Sequence, residues 1–433
     1  MTARIVDFET TDLRFPTSGQ LDGSDAMNPA PDYSAAYVVL RTDDPTAAEG
    51  HGFTFTIGRG TDLVVRAVQQ LAQRIVGLDL DEVVGDLGGF ARRLTSDSQL
   101  RWLGPDKGVI HLAAAAVINA AWDLAGRRAG KPVWQLLADF EPQQVVDLVD
   151  WRYLRDALTP DQALRLLENA REGRAEREAK LHESGYPAYT TSAGWLGYDD
   201  DKLRRLCQQA VDDGWQSIKL KVGADPDQDR RRCRIARDVL GPDRRLMIDA
   251  NQTLGVAEAV ERHRALAEFD VFWFEEPTSP DDVLGHAAIQ REIAPTRVAT
   301  GEHGHNAVMF KQFLQADALR VCQLDACRLA GVNEAVAVLL LAASRDVPVC
   351  PHAGGVGLCE LVQHLSIFDY LAVSASTENR VIEYVDHLHE HFADPVRMNG
   401  THYAPPRNPG YSSEIKKESR EHFAFPHGPA WQQ

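Results

Sequence analysis

The chain has 433 residues, more than one hydrophobic core usually serves, so we expect two domains. Hydrophobic residues make up 44% of it and charged residues 25%, which is the profile of a soluble globular protein, and the net charge of −17 argues against nucleic acid as a partner. The first residues contain no apolar signal sequence, no apolar run has the length of a membrane span, and the six cysteines lack the spacing of a zinc site or a disulfide framework. We therefore expect a cytoplasmic protein with no membrane partner.

Residues 1–60 carry the pattern of β-strands. Three segments combine β-branched and aromatic residues with partial alternation: IVDFETTDLRF, YSAAYVVLRTD and HGFTFTIGRG. Between the first two lies a long polar loop, SGQLDGSDAMNPAPDYS, which is either an exposed connection or a lid over a polar substrate. Residues 62–137 have helical spacing, and Gly130 and Pro132 interrupt an alanine-rich helix there. We predict an N-terminal α+β capping domain over residues 1–140.

Residues 141–185 are expected to form a connector or insertion. The segment VVDLVDWRYL has the composition of a strand, and residues 161–184 have that of a solvated helix. From Tyr186 onwards, eight strand-like segments alternate with helices, which predicts one closed (β/α) barrel of the TIM type within residues 141–386. Residues 387–433 form a C-terminal segment whose aromatic residues are expected to pack on the first domain: Tyr403, Tyr411, Phe423, Phe425 and Trp431.

Ionisable residues stand at the ends of consecutive barrel strands. A charged residue near one strand end is ordinarily a solvated loop residue, but a whole series of them favours one shared site at the C-terminal mouth of the barrel. The candidates in chain order are Trp195, Lys219, Lys221, Asp249, Asn251, Glu275, Glu302, Asp325, His352 and Glu383.

Three of these residues are acids on adjacent strands. Asp249, Glu275 and Glu302 would repel one another strongly without a cation. Ligation by oxygen atoms alone favours Mg²⁺ over zinc, so we predict one bound Mg²⁺ with coordination positions left open for substrate. Glu276 directly follows Glu275, and we expect it to have a structural or supporting role.

The remaining candidates suit proton transfer. Lys219 and Lys221 share one face of their strand, and apolar surroundings with a neighbouring ammonium predict a lowered lysine pKa and a neutral base. Asp325 and His352 fall on neighbouring strands, where the carboxylate would orient the imidazole and raise its pKa. A rival metal site is the alternating histidine set His387, His389 and His391, which would need a strand to bring the rings together.

A base, a divalent metal ion and an acid together suit proton abstraction beside a carboxylate. Chelation of the substrate carboxylate stabilises the enediolate, and an acid can then protonate a β-hydroxyl so that it leaves as water. The pairing of a Lys or His base with Mg²⁺ is a known property of the enolase superfamily.

The motifs KLK, DAN, EEP and GEH, with the Asp325–His352 pair and Glu383, resemble the mandelate racemase branch of the enolase superfamily. Within that branch, segments such as DGSDAMNPAPDYSAAYVVLRTD and PHAGGVGLCELVQHL are similar to those of L-fuconate dehydratases. This resemblance implies a hydro-lyase that acts on a small anionic sugar acid and binds Mg²⁺ through the three acids. We also expect a homo-oligomer.

The same resemblance implies a role for each remaining candidate. Lys221 would take the α-proton, and His352, supported by Asp325, would protonate the leaving 3-hydroxyl. Substrate contacts are implied for Lys219, Glu383 and, from the capping loop, Asp25, and we expect Asn251 and Trp195 to join them. The segment 304–307 does not match the family pattern well, and we expect it to affect substrate preference.

Three alternatives remain open at this point. The same site can racemise an acid or dehydrate another sugar acid such as L-galactonate. A metal-dependent barrel hydrolase would ordinarily carry an HxH pair after the first strand, and TTSAGW has none. A non-catalytic protein on the same fold would be expected to have lost Lys221 or a metal ligand, and neither is lost.

Overall fold

The N-terminal part of the chain forms an antiparallel sheet in the order β1-β2-β3, as seen in the computed structural model, which describes residues 3–104 and 106–432. Its strands are β1 (Ile5–Arg14), β2 (Ser34–Thr42) and β3 (Glu49–Thr56). Residues 1, 2, 105 and 433, which fall within predicted segments, lie outside the described part. The central strand β2 is buried along nearly its whole length because one sheet face packs on helices and the other faces the barrel side of the molecule.

Helices were predicted for residues 62–137, and the described part of this region contains six. They are α1 (Thr61–Ala72), α2 (Leu80–Gly85), α3 (Leu87–Thr95), α4 (Ser98–Leu103), α5 (Gly108–Ala129) and α6 (Val133–Asp139). Helix α5 lies unusually close to β3, since a Cβ atom on Gly52 would stand 2.2 Å from the carbonyl oxygen of Ala116. By length and composition α5 is apolar enough to cross a membrane. However, 83% of its most apolar 18-residue stretch is buried inside the protein, so it serves as a core helix.

Residues 141–185 form three helices, and the strand predicted for VVDLVDWRYL is wrong. The helices are α7 (Pro142–Leu148), α8 (Pro160–Asn169) and α9 (Arg174–Ser184). Helix α7 begins with a proline at its first turn and a capping box between Glu141 and Gln144, and these start signals outweigh the β-branched composition. The predicted solvated helix over residues 161–184 is interrupted by a turn between α8 and α9.

The predicted (β/α) barrel is confirmed. Its parallel strands are β4 (Tyr186–Thr190), β5 (Ser217–Lys221), β6 (Arg245–Asp249), β7 (Val271–Glu275), β8 (Arg297–Thr300), β9 (Val321–Cys322) and β10 (Ile382–Tyr384). β10 pairs with β4, while the seventh predicted strand is reduced to a parallel bridge between Cys322 and Val349. The helices between the strands are α10 (Asp200–Asp212), α11 (Pro226–Leu240), α12 (Val256–Leu266), α13 (Val283–Ile293), α14 (Ala307–Gln315), α15 (Gly331–Ala343) and α16 (Leu358–Phe368).

Apolar side chains of the barrel strands form a layer below the mouth. It is a separate apolar cluster with Tyr189, Met247, Trp273, Ala299, Val321, Cys350 and Val381 as members. Because this layer closes the barrel, the mouth above it is a cup and not a channel. All six cysteines are buried and free, as expected from their spacing.

The C-terminal segment contacts both parts of the molecule. It contains β11 (Met398–Asn399), β12 (His402–Tyr403) and α17 (Lys417–Phe423). β12 pairs antiparallel with β4, so Tyr403 packs on the barrel, whereas the backbone nitrogen of Phe425 donates to Asp12 in β1 and the Trp431 indole donates to Arg14. The division of the chain at residues 140/141 and 386/387 stays a prediction.

Candidate active site

Strand register brings three of the predicted residues into one row. Lys221 on β5 is the direct neighbour of Asp249 on β6, and Asp249 is the direct neighbour of Glu275 on β7. Glu302 follows the end of β8. Carboxylate oxygens of Asp249, Glu275 and Glu302 all lie within 4.8 Å of one another, and all three residues are buried. These acids are therefore positioned to hold a metal ion.

The two lysines lie against these acids. Lys221 Nζ is 2.6 Å from Asp249 Oδ2, and Lys219 Nζ is 2.5 Å from Glu275 Oε1. Burial alone would lower the pKa of Lys221, but Asp249 raises it above its ordinary value, and the carboxylates around Lys219 raise its pKa in the same way. The sequence predicted a lowered lysine pKa, and this prediction is wrong. Each lysine lies against a carboxylate, and the acids raise the pKa by more than burial and the second ammonium lower it.

Asp325 and His352 form a hydrogen-bonded pair at the other side of the acids. His352 Nδ1 lies 2.7 Å from Asp325 Oδ2, and His352 Nε2 lies 3.8 Å from Glu302 Oε2. Although burial would lower the pKa of His352, Glu302 and Asp325 raise it to about 9. The other oxygen of Asp325 accepts from the backbone nitrogens of Cys327 and Arg328, so its orientation is fixed. The predicted rise in the histidine pKa is confirmed.

Glu383 on β10 completes the ring of charges. Its Oε1 lies 2.9 Å from Lys219 Nζ and accepts from the Thr191 hydroxyl, while its Oε2 accepts from the Ala353 backbone nitrogen. Burial would raise the pKa of Glu383, but Lys219 and His352 lower it well below its ordinary value. Glu383 is consequently an anion that keeps Lys219 in the centre of the mouth.

The capping loop reaches the same site. Asp25 is buried and accepts from the backbone nitrogens of Met27 and Asn28. Burial raises the pKa of Asp25, and Lys221 acts against this rise, so the two charges are near each other. The loop is attached to the barrel through Ser24, whose carbonyl accepts from Leu196 and whose hydroxyl oxygen accepts from the Gly197 nitrogen.

Trp195 and Asn251 also lie at the mouth. β4 ends at Thr190, so Trp195 belongs to the following loop and not to the strand end predicted for it. Its ring centroid is 5.7 Å from Lys221 Nζ. Asn251 adopts a left-handed backbone with φ of 44° and donates its backbone N–H to Asp249 Oδ1. Its side-chain Oδ1 is buried without a hydrogen-bond partner among the residues that the structure describes.

The chemistry of this donor set fits a hard divalent cation. Glu302 Oε2 is buried and finds no hydrogen-bond donor within the described ranges. Burial and the neighbouring Asp249, Glu383 and Glu302 raise the pKa of Glu275 well above its ordinary value even with Lys219 beside it. The cluster therefore has more negative charge than its lysines neutralise, and oxygen-only donors favour Mg²⁺ among biological dications.

Several residues at the site were not foreseen from the sequence. The Gln323 amide and the Trp273 indole both donate to Glu275 Oε2, at 2.7 and 2.9 Å. Tyr33 of the capping domain is buried, and the charges of Glu383 and Asp25 contribute to raising its pKa. A polar residue directly after β9, two positions beyond the inward-facing Val321, was a usable signal for Gln323. Nothing in the local sequence of Tyr33 shows that it meets the barrel.

The rival histidine site does not form. His389–His391 is a short 3-10 helix and not a strand, so the rings are not brought together. His389 lies 2.6 Å from Glu360, His391 lies 3.1 Å from the Ser419 hydroxyl, and the ring of His387 stacks on Tyr33. Each ring thus has its own structural partner.

The sequence matches two family models over most of its length. Residues 202–419 match the model described as enolase C-terminal domain-like, and residues 29–138 match the N-terminal domain of mandelate racemase and muconate lactonizing enzyme. The chain is 56% identical to mitochondrial enolase superfamily member 1 of Homo sapiens, over 99% of this chain and 97% of that protein. The crystal structure of the human protein superposes with a TM-score of 0.98 and covers 100% of this chain and 98% of its own.

Two further relatives are informative. L-galactonate dehydratase of Hypocrea jecorina is 50% identical over 98% of this chain and 94% of its own length. A racemase from Streptomyces coelicolor, solved with bound magnesium, is 25% identical with a TM-score of 0.75, covering 97% of this chain and 99% of its own. The chain therefore belongs to the mandelate racemase/muconate lactonizing enzyme family of the enolase superfamily.

Proposed function

We propose that the protein is a Mg²⁺-dependent sugar-acid dehydratase that converts L-fuconate to 2-keto-3-deoxy-L-fuconate. The observation that carries this proposal is the placement of the three acids between a lysine and a histidine. Lys221 contacts Asp249 at one end of the cluster, and His352 faces Glu302 at the other. A base and an acid on either side of a carboxylate-binding metal site suit removal of an α-proton followed by loss of a β-hydroxyl.

Asp249, Glu275 and Glu302 would hold the Mg²⁺. When bound, the ion supplies positive charge that offsets these carboxylates and stabilises the negative charge that develops on the substrate carboxylate. The magnesium found in the Streptomyces coelicolor racemase supports this assignment. So does the buried Glu302 Oε2, which accepts no hydrogen bond from the residues that the structure describes.

Lys221 is the proposed base for the proton at C2. Burial and Lys219 lower its pKa, and Asp249 is the charge that raises it most, so Lys221 loses its proton more readily whenever Asp249 is engaged elsewhere. Lys219, held between Glu275 and Glu383, would contact the substrate carboxylate. Removal of the C2 proton gives an enediolate, with the proton carried away on the lysine amine.

His352 is the proposed acid for the leaving group. Its Nδ1 is held by ionised Asp325, so Nε2 is the nitrogen that faces the site and can deliver a proton to the 3-hydroxyl. The C3–O bond then breaks, water leaves, and the resulting enol tautomerises to the 2-keto-3-deoxy acid. Asp25, Tyr33, Asn251 and Trp195 would surround the rest of the sugar chain.

A second candidate substrate is L-galactonate. It is favoured by the 50% identity to a protein that is an L-galactonate dehydratase. L-fuconate is the 6-deoxy form of L-galactonate, so the two substrates present the same groups to the metal, to Lys221 and to His352. The proposed chemistry is common to both, and only the contacts at C6 separate them.

The test is a panel of six-carbon and 6-deoxy sugar acids with purified protein and Mg²⁺, followed by detection of 2-keto acids. We expect turnover of L-fuconate with one water lost per molecule. Exchange of the α-proton or epimerisation without loss of water would instead support a racemase. If no acid on the panel exchanges its α-proton, the protein is not an enzyme of this class.

The remaining predictions about the protein as a whole are independent of this chemistry. A cytoplasmic location and a homo-oligomeric state stay predictions. Light scattering after size-exclusion chromatography measures the second of these directly, and a monomer would contradict it.

A further inference from the structure

A second set of side chains lies outside the three proposed metal ligands. Its members are Gln252, Glu276 and His303, which we call the outer clamp. Each member shortly follows one ligand in the chain: Gln252 follows Asp249, Glu276 follows Glu275, and His303 follows Glu302. The clamp thus contains one residue from each of the three strand ends that carry a ligand.

The clamp residues contact one another directly. His303 Nδ1 lies 2.8 Å from Glu276 Oε1 and 2.6 Å from the Gln252 side-chain amide. The same amide is 3.2 and 3.3 Å from the two oxygens of Glu276, and the Gln252 backbone nitrogen donates to the Glu276 carbonyl. Glu276 is 1% exposed, so its carboxylate is screened little by solvent, whereas Gln252 and His303 are partly exposed.

Two of the clamp residues have an uncommon backbone conformation. Gln252 and Glu276 both adopt left-handed conformations, with φ of 66° and 42°. Non-glycine residues rarely adopt this conformation, and it persists only where surrounding contacts hold it. Here the contacts are those of the clamp itself, which join the segment after β6 to the segment after β7.

The third ligand depends on the clamp most directly. Glu302 and His303 are the two central residues of a tight turn in which the Gly304 nitrogen donates to the Gly301 carbonyl at 2.8 Å. Gly301 has φ of 141°, and a Cβ atom there would stand 2.7 Å from the Phe310 ring, so the turn is confined on that side. His303 Nδ1 lies 2.8 Å from Glu276 Oε1 and 3.5 Å from Glu302 Oε1, so the bond to Glu276 also holds His303 against Glu302.

We propose that the outer clamp positions the three carboxylates, and Glu302 above all, and so sets the affinity of the site for Mg²⁺. Gln252, Glu276 and His303 are positioning residues, since they act through the ligands and not on substrate. Partners of metal ligands commonly contribute this way, and their loss typically costs 10–100-fold in metal affinity. The inference rests on the magnesium site of the proposed function but not on the identity of the sugar acid.

The test is calorimetric titration of the metal-free protein with Mg²⁺ in the absence of substrate. His303→Ala removes the contact with Glu276, and we expect Mg²⁺ binding weakened by about 10–100-fold. His303→Asn places an amide near the position of Nδ1 and should retain most of the affinity. His305→Asn is the matched control, because His305 lies two residues along in the same loop and pairs with the exposed Asp281 at 3.2 Å.

Thermal unfolding without Mg²⁺ shows whether each variant is folded. If His303→Ala does not fold, Gln252→Leu is titrated with Mg²⁺ in its place. Wild-type affinity in a folded His303→Ala or Gln252→Leu variant overturns the clamp. Equal weakening in His303→Ala and His303→Asn also overturns it, since the amide should substitute for the ring. A wild-type protein that binds no Mg²⁺ overturns the metal site and the clamp together, whereas one that binds Mg²⁺ but dehydrates no sugar acid overturns only the proposed reaction.

Discussion

Replacing Asp325 with Asn should disable His352 as an acid while leaving the proposed base intact. One carboxylate oxygen of Asp325 accepts two backbone N–H groups, from Cys327 at 2.6 Å and from Arg328 at 2.8 Å. The side-chain oxygen of an asparagine must accept these same two N–H groups, so its NH₂ group faces His352 Nδ1. In the protonated imidazole, the Nδ1–H group would then face this NH₂ group, which is also a donor. The charged form of His352 therefore becomes unfavourable.

The size of the effect follows from the pKa of His352. The group is protonated below about 9 in the folded protein, compared with an ordinary value of 6.5. At a pH near 7.5 the wild-type imidazole is almost fully protonated, whereas an imidazole of ordinary pKa is about one-tenth protonated. The pKa of His352 in the variant falls towards its ordinary value while Glu302 and Glu383 still raise it, so the acid form, and the dehydration rate with it, falls by up to about tenfold.

Two measurements check this prediction. NMR titration of the metal-free protein should place His352 near pH 9 in the wild type and clearly lower in Asp325→Asn, where Glu302 and Glu383 still raise the pKa. In D₂O with Mg²⁺ and substrate, the variant should still exchange the α-proton, since Lys221 is unchanged. Asp317→Asn, which removes an exposed carboxylate, is the control and should behave as wild type. An unmoved His352 titration, or loss of exchange together with dehydration, would refute the reasoning.

Three further changes test other parts of the molecule. Lys221→Ala should abolish exchange of the α-proton with deuterium, and retained exchange would place the base elsewhere. Removing Mg²⁺ with a chelator should stop turnover and readdition should restore it; full activity without metal contradicts the mechanism. His389, whose pKa Glu360 raises to about 9 against the burial that lowers it, should stabilise the fold by roughly 3 kcal/mol below pH 6.5, and this contribution should disappear as the pH rises through 9. The difference in unfolding free energy between wild type and His389→Leu should therefore shrink from pH 6 to pH 9.5, and a constant difference would show that the ion pair is not its source.

The sequence was sufficient to predict the site residues whose positions follow from strand periodicity and from closure of the barrel. Lys221, Asp249 and Glu275 are the last residues of β5, β6 and β7, and in a closed parallel barrel the ends of neighbouring strands meet at one mouth. Their proximity is thus a consequence of local pattern and topology. The Asp325–His352 pair was foreseen for the same reason, although the strand predicted before His352 is reduced to a bridge at Val349.

Other features depend on contacts that a local pattern does not contain. The direction of the Lys221 pKa depends on a 2.6 Å contact with Asp249, and residue types alone do not reveal which of the opposing effects is larger. The capping residue Tyr33 meets the barrel only after the two domains pack. The misassigned strand at VVDLVDWRYL shows that capping residues can override β-branched composition over a short segment.

The choice between L-fuconate and L-galactonate must lie outside the proton-transfer machinery. The two acids differ only at C6, whereas Lys221, His352 and the metal ligands would act at C1 to C3. We expect the capping loop around Asp25, which is fastened to the barrel through Ser24, to form part of the wall near C6. A loop that donates or accepts a hydrogen bond at C6 would reject the deoxy substrate by up to about 10⁴-fold, while an apolar pocket would separate the two acids by only about 10–200-fold. The ratio of the two kcat/KM values therefore reports which kind of contact the loop makes, and a ratio that Asp25→Asn leaves unchanged would remove this carboxylate from the selection of substrate.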